Sequence, residues 1–475
     1  MLKRTILFAA VFLICLTASS TALELTGPKK VRPYEGADLE ITSQVPGILT
    51  VSVDYFGGVP GRVLLCEPVF AGTTQVSWDG LWENGECPIR DTGAVVRAVL
   101  VCDDGTEDTA ALNVTFTNPC AVVAFATPWQ EAFYPEDGAL GIDYFCTFDN
   151  MSVTVDIAAA DEPDEVLHTV TVQAMSGPQV FHWNAKTQTG SRFAPGDYVL
   201  TFYTRPYPEH FAQVRVTILD APEEPPAQAL TRYWQPTGEE SPDEIWEMLQ
   251  EPVTVARGED GNGMKVYNLP SQNSGVVGNV HCSLAGVRVL EEPAGGFVRV
   301  GFYTVEKARY AEGYLPSQNL LTVRPSPLYG LVLDKRTQEL KVYYRGEYLG
   351  MLKVSTGLRQ VKATECLTRA GIYLTGDLMD DFFRDGFWYD YPIRIDGPNL
   401  IHSAGLKRAE GGFTDFSEQI AELGTRASHG CVRVDPRRDA ETGLNMYYLY
   451  SHLARNTKIF VIDSEEEHQA ARPQP

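Results

Sequence analysis

The chain is predicted to be mainly β and multi-domain, on three observations. Its 475 residues exceed one ordinary domain. Two stretches about 100 residues apart resemble each other, "VSWDGLWENG" at 76–85 and "FHWNAKTQTG" at 181–190. Polar and apolar residues alternate with the period of a strand in "GDYVLTFYT" (196–204), "FAQVRVTIL" (211–219) and "LYGLVLDKRTQELKVYYRG" (328–346).

The N-terminus carries Lys3 and Arg4, then an apolar run from Ile6 to Leu16, then Ser20-Thr21-Ala22 before Leu23. This is the pattern of a secretory signal peptide over 1–22, too short for a spanning helix. The expectation is an exported protein of the periplasm, cell wall or extracellular space, with no stable membrane span after cleavage. Two β-sandwiches are expected next, at 24–118 and 120–220. "TVSVDY" (50–55) is echoed by "VTVDI" (153–157), and Trp78 and Trp183 are each followed seven residues later by glycine, Gly85 and Gly190. On this Trp-Asp/Asn-Gly pattern the two copies resemble immunoglobulin-like modules of bacterial surface proteins.

Residues 221–252 read as a Pro- and Glu-rich linker followed by a short helix. Ser241 suits an N-cap, Pro242 the first turn, and Glu244 completes a capping box for a helix ending near Gln250. At 253–323, "GVRVLEEPAGGFVRVGF" and "AEGYLPSQNL" resemble a bacterial SH3-like domain, which implies a spacer or a cell-wall contact. A last β domain with short helices is expected over 326–463, and a disordered tail over 464–475.

Hydrophobic residues make up 44 %, enough for several cores, and the formal charge is −23. That charge argues against nucleic acid as a partner, because a phosphate-binding surface needs clustered Lys and Arg. Besides Cys15 the cysteines are Cys66, Cys87, Cys102, Cys120, Cys146, Cys282, Cys366 and Cys431. Export permits disulfides. Cys66 with Cys87 is a pairing drawn from proximity alone.

"RASHGCVRVD" (426–435) sets His429 two positions before Cys431. A structural cysteine needs nothing around it. A metal site needs two more ligands, and no nearby CxxC or HxxxH supplies them. A nucleophile needs a base to take its proton, and His402 in "NLIHSAG" supplies one. Glycine beside the cysteine lets substrate approach backbone N–H groups that could hold an oxyanion.

"IHS" (401–403) followed by "SHGCVRV" (428–434) resembles the catalytic domain of the L,D-transpeptidase (YkuD) family. "TRAGIYLTG" (368–376) resembles the family's TPxGxF segment, and "YDYPIRIDGPNLIHS" (389–403) the strand pair leading to its first histidine. The resemblance implies Cys431 as nucleophile and His402 as base, oriented by the Ser403 backbone. It implies that His429 and Gly430 shape the catalytic site, with the oxyanion held by N–H groups near Cys431. Arg433 is implied to hold the loop or a substrate carboxylate, and Ser428 to be structural. The implied reaction is cross-linking of peptidoglycan stem peptides through a Cys431 thioester, with no metal or organic cofactor. Two features depart from the family: the segment 403–427 is long, and Thr368-Arg369 stands where Thr-Pro is common. The rivals are an L,D-carboxypeptidase or related hydrolase using the same site, and a non-catalytic wall-binding scaffold. His182, His210 and His452 are read as surface or packing residues, and His281-Cys282 as structural and without partners.

Overall fold

Strands dominate because β-branched and aromatic residues alternate with polar ones along most of the chain. The computed structural model describes residues 23–32, 36–55, 59–80, 93–116, 122–224, 226, 229–358, 368–408, 414–439 and 441–462. Residues 1–22, expected to be a signal peptide, residues 463–475, which include the expected tail 464–475, and Cys15, Cys87, Cys120 and Cys366 lie outside them. Among the described residues no helix is long and apolar enough to cross a membrane.

The two echoing stretches belong to two units of identical topology. In the first, strands Leu23–Thr26, Ala37–Ser43 and Gly72–Trp78 form a three-stranded sheet. Strands Lys30–Val31, Glu107–Phe116, Gly93–Cys102, Gly47–Tyr55 and Val59–Val69 form, in that order, a five-stranded one. In the second unit the three strands are Val123–Pro128, Leu140–Cys146 and Gly177–Trp183. The five are Ala132–Phe133, Tyr207–Ile218, Gly196–Thr204, Met151–Ala159 and Val166–Ala174. Numbered within each unit, the sheets run 1-3-6 and 2-8-7-4-5 in both. In both, the short second strand pairs with the eighth in parallel. Trp78 and Trp183 each end the sixth strand and are buried in the core between their sheets. The sequence echo therefore marks a repeat of whole domains.

The third strand tells the two copies apart. Ala37–Ser43 alternates in burial, with Leu39 and Ile41 inward and Asp38 and Glu40 in solvent. Leu140–Cys146 is buried at every position. Its even-numbered residues fill the second unit's own core. On its opposite face Phe145 packs against Tyr450 of the C-terminal region, with ring centroids 6.1 Å apart, and Phe125 joins them at 5.7 Å. Thr127 Oγ1 donates to the Ser451 carbonyl at 2.9 Å. The second unit is thus docked on the helix Met446–His452.

Residues 253–323 form a seven-stranded sheet and residues 329–462 a nine-stranded one. The two are joined where the start of the strand Gly286–Val289 meets the edge strand Gly371–Leu374 of the nine-stranded sheet. Leu374 N–H donates to the Leu284 carbonyl at 2.9 Å, and Ala285 bridges Tyr373. Val287, Val298 and Phe302 of the first share one core with Leu331, Leu352 and Ile401 of the second. The segment read as a linker is also held down. Trp234 is buried, Gln235 Nε2 donates to the Val461 carbonyl at 3.0 Å, and Val289 N–H donates to Thr231 Oγ1 at 2.8 Å.

The helix Pro242–Gln250 starts with its capping box formed, Ser241 Oγ receiving Glu244 N–H and the Glu244 carboxylate receiving Ser241 N–H. It buries Ile245, Met248 and Leu249. At its other end Lys458 Nζ donates to the carbonyls of Met248 (2.7 Å) and Glu251 (2.9 Å), groups a helix terminus leaves without internal partners. Among the described residues Cys66, Cys102, Cys146 and Cys282 carry free thiols, and the partner drawn for Cys66 by proximity, Cys87, lies outside the described residues.

Candidate active site

Four neighbouring strands of the nine-stranded sheet carry the site: Glu347–Gly357, Val432–Val434, Asn399–Ser403 and Ile393–Asp396. Val432–Val434 runs antiparallel to the first and parallel to Asn399–Ser403. The register sets Ser355, Arg433 and His402 in one row across three strands. Residues directly opposite one another point to the same side, so these three share a face. Ile401, Val432 and Val434 take the other face and are fully buried in the shared core, which fixes this register against slippage.

Cys431 lies one residue ahead of its strand, half-buried, and its Sγ accepts Leu400 N–H at 3.4 Å. The sulfur is thereby held beside Leu400, two residues along the strand from His402, a span of about 7 Å. Sequence alone separated these residues by a long segment, and the parallel pairing closes the gap.

The turn before Cys431 is pinned on both sides. Gly430 has φ 132°, a region side chains rarely adopt, which explains glycine at this position. Its N–H donates to Ser428 Oγ at 3.1 Å, and Ser428 Oγ donates to the Cys431 carbonyl at 2.5 Å. Its carbonyl accepts Thr368 Oγ1 at 2.7 Å, while that oxygen accepts Gly357 N–H at 2.9 Å. Lys335 Nζ in turn donates to the Thr368 carbonyl at 2.5 Å. Ser428 is thus a clamp inside the turn and Thr368 a brace from outside it. His429, between them, is exposed.

His402 is 2 % exposed. Its Nδ1 lies 2.7 Å from the Ser403 carbonyl oxygen. That oxygen has no proton to give, so Nδ1 carries the hydrogen and the lone pair sits on Nε2. Burial pulls the pKa down to about 4. The Ser403 carbonyl opposes that shift and the positive charge of Arg433 adds to it. Tyr389 and Phe382 stand edge-on to the ring at 4.6 and 5.5 Å. Ser403 itself is fixed to Asp390, with N–H to carbonyl and Oγ accepting Asp390 N–H, both 2.9 Å.

The long segment between the histidine and the cysteine folds over this arrangement. Its described part holds the short strands Lys407–Arg408 and Thr414–Asp415 and a helical turn Ser417–Ile420. Gln419, 4 % exposed, accepts Gly405 N–H at 2.7 Å and donates to Tyr389 Oη at 3.0 Å, tying the turn to the ring beside His402. Glu422 pairs with the Arg433 guanidinium, so Arg433 holds the loop.

Sequence reasoning singled out neither Thr368 as a brace nor Gln419, Glu422, Tyr389 and Phe382 as neighbours of the site. Thr368, Tyr389, Gln419 and Glu422 lay in segments that had drawn notice, and Phe382 did not. His281 was read as having no partners. The structure corrects this: its Nδ1 lies 2.7 Å from Asp396 Oδ1, and Arg369 reaches Asp396 Oδ2 at 2.6 Å. Asp396 and Arg369 lie 115 and 88 positions away along the chain, which no local pattern reveals. Among the described residues no group of three His, Cys, Asp or Glu side chains is placed to hold a metal ion.

No protein-family model and no curated protein matches the chain. Solved structures do. An L,D-transpeptidase from Mycobacterium smegmatis is 16 % identical, with 37 % of this chain and 99 % of that one covered and a TM-score of 0.23. An L,D-transpeptidase from Mycobacterium tuberculosis H37Rv is 14 % identical, covering 45 % of this chain and 91 % of that one, TM-score 0.24. L,D-transpeptidase 3 from Mycobacterium tuberculosis is 15 % identical, covering 45 % and 92 %, TM-score 0.23.

Proposed function

We propose that the protein is an exported L,D-transpeptidase, a cysteine acyltransferase acting on peptidoglycan stem peptides. The observation that carries the reading is the Ser403 carbonyl on His402 Nδ1, which leaves a lone pair on Nε2 of a neutral, buried imidazole in the strand beside Cys431. A general base in that state takes a thiol proton without first losing one of its own.

In the reaction, His402 Nε2 accepts the Cys431 thiol proton as Sγ attacks the carbonyl joining an L-centre to the terminal D-alanine. The carbonyl oxygen becomes an oxyanion, stabilised by N–H groups of the Ser428–Cys431 turn. Gly430 N–H is engaged by Ser428 Oγ, so this role falls to the other amides of the turn. The C–N bond breaks, and the imidazolium returns its proton to the departing D-alanine amine. An amine from a second stem attacks the thioester, gives its proton to His402, and the thiol re-forms. Thr368, Ser428 and Gly430 hold the turn in place through the cycle. His429, being exposed, acts by shaping the rim. Phe382, Tyr389 and the Gln419 turn cover His402 and shield its ring from solvent.

The test is product analysis by mass spectrometry with purified tetrapeptide muropeptides and the chain from Leu23 onward, with Cys431→Ala as control. Cross-linked dimers lacking one D-alanine, absent in the variant, are the expected result. Tripeptide alone would make the protein a carboxypeptidase. No change with any stem type would leave a wall-binding scaffold.

A further inference from the structure

Three polar side chains that the reaction does not use are buried together where the seven-stranded and nine-stranded sheets meet. His281, Asp396 and Arg369 are 6 %, 3 % and 5 % exposed. His281 Nδ1 lies 2.7 Å from Asp396 Oδ1, Arg369 lies 2.6 Å from Asp396 Oδ2, and the guanidinium is 3.2 Å from the imidazole. Gly397, at φ 56°, packs so tightly on the His281 ring that a Cβ there would fall 2.2 Å from Cε1. Burial alone would push the Asp396 carboxyl up; Arg369 and the His281 N–H outweigh it and hold it below the usual range.

The connections of this cluster give it significance. Asp396 ends the strand that turns back at Asn399 into Leu400, the donor to Cys431 Sγ, and His402. Arg369 follows Thr368, the brace on the Gly430 carbonyl. One carboxylate therefore ties the arm carrying the base to the arm bracing the nucleophile, and His281, from the other sheet, fixes that carboxylate. A buried ion pair is costly to form and costly to break on one side, so it is weak as a source of stability and strong as a constraint on geometry.

We propose that His281 is a positioning residue for the Cys431–His402 pair, so that residues 253–323 form part of the catalytic scaffold. This rests on the reading of Cys431 and His402 as nucleophile and base. The residue sets where Asp396 sits, Asp396 sets Arg369 and the 396–399 turn, and these set the separation of thiol and imidazole.

The experiment measures the rate of iodoacetamide alkylation at Cys431 against pH, followed on the Cys431 peptide by mass spectrometry, beside thermal melting of each variant. It needs no muropeptide substrate. His281→Ala is expected to slow Cys431 alkylation about ten- to a hundred-fold, the scale of a displacement near 1 Å. His281→Asn keeps an N–H donor at the position of Nδ1 and is expected to restore most of the rate. A folded His281→Ala protein that alkylates at the wild-type rate overturns the proposal, because a purely structural residue would lower the melting temperature alone. Should that variant not fold, Asp396→Asn decides by the same comparison. His402→Ala is the separate control: a wild-type rate there removes the base, and with it the reading on which the proposal rests, whatever His281 does.

Discussion

His402 shows how much one hydrogen bond decides. Its buried ring would be an inert packing histidine if Nδ1 were free to be either tautomer. The Ser403 carbonyl removes that freedom and aims the basic nitrogen away from its own strand. With a pKa near 4, the base is competent at every pH above that value. We predict that kcat/KM is flat in this limb down to about pH 5 and falls about tenfold per unit below pH 4. The same shift makes a stability statement. The folded pKa of about 4 lies below the ordinary 6.5, so the unfolded chain binds the extra proton first as pH drops. No penalty exists above pH 6.5, and stability falls as pH goes from 6.5 toward 4, by up to about 3 kcal/mol. Urea unfolding of wild type against His402→Gln across that window checks it, the variant losing the slope. Cys431 and His402 were legible as a candidate pair because the proposed nucleophile and base must be particular residue types, and the structure sets them at neighbouring strands. Thr368, Gln419 and Glu422 were not legible, since any polar residue at the right distance could serve and distance is not written locally.

At the scale of elements, the helix Pro242–Gln250 divides into a legible end and a hidden one. Ser241 and Glu244 announce the start, because a capping box acts within four residues. The finish depends on Lys458, more than two hundred residues away, whose ammonium caps the last carbonyls while being 1 % exposed. Burial pulls its pKa down to about 7, with Glu251 opposing. Between pH 7 and 10.5 the unfolded chain holds a proton the folded one lacks, so stability rises with pH across that window. We predict that Lys458→Met abolishes this rise, worth up to about 5 kcal/mol, in chemical unfolding followed from pH 7 to 10. Strand periodicity was equally legible, but the merging of the 253–323 and 326–463 segments into one core was not. The residues that join them, Val287 or Ile401, look like any other apolar strand residue.

At the scale of the molecule, two copies of one topology serve different ends. The third strand of the first copy shows charge to solvent, and that of the second is buried on both faces, one in its own core and the other against the C-terminal region. The run "LGIDYFC", apolar except for Asp143, carried that signal. Asp143 sits in this junction, and burial raises its pKa to about 7, with Asp377 adding and Arg455 opposing. Its folded pKa exceeds that of an ordinary carboxyl, so the folded protein holds the extra proton between pH 4 and 7, and stability is lost as pH rises through 7. We predict that Asp143→Asn is more stable than wild type at pH 8, by up to about 4 kcal/mol, and that the advantage shrinks toward pH 5, in calorimetric melts at both values.

The central claim is that Cys431, activated by His402, carries the acyl group. The measurement that meets it most directly is acid quenching of the protein during reaction with a tetrapeptide stem, followed by peptide mapping. The account predicts the stem acyl group on the Cys431 peptide as a thioester, absent in Cys431→Ala and strongly reduced in His402→Ala. Product formed by Cys431→Ala, or an acyl group found on another residue, would contradict it.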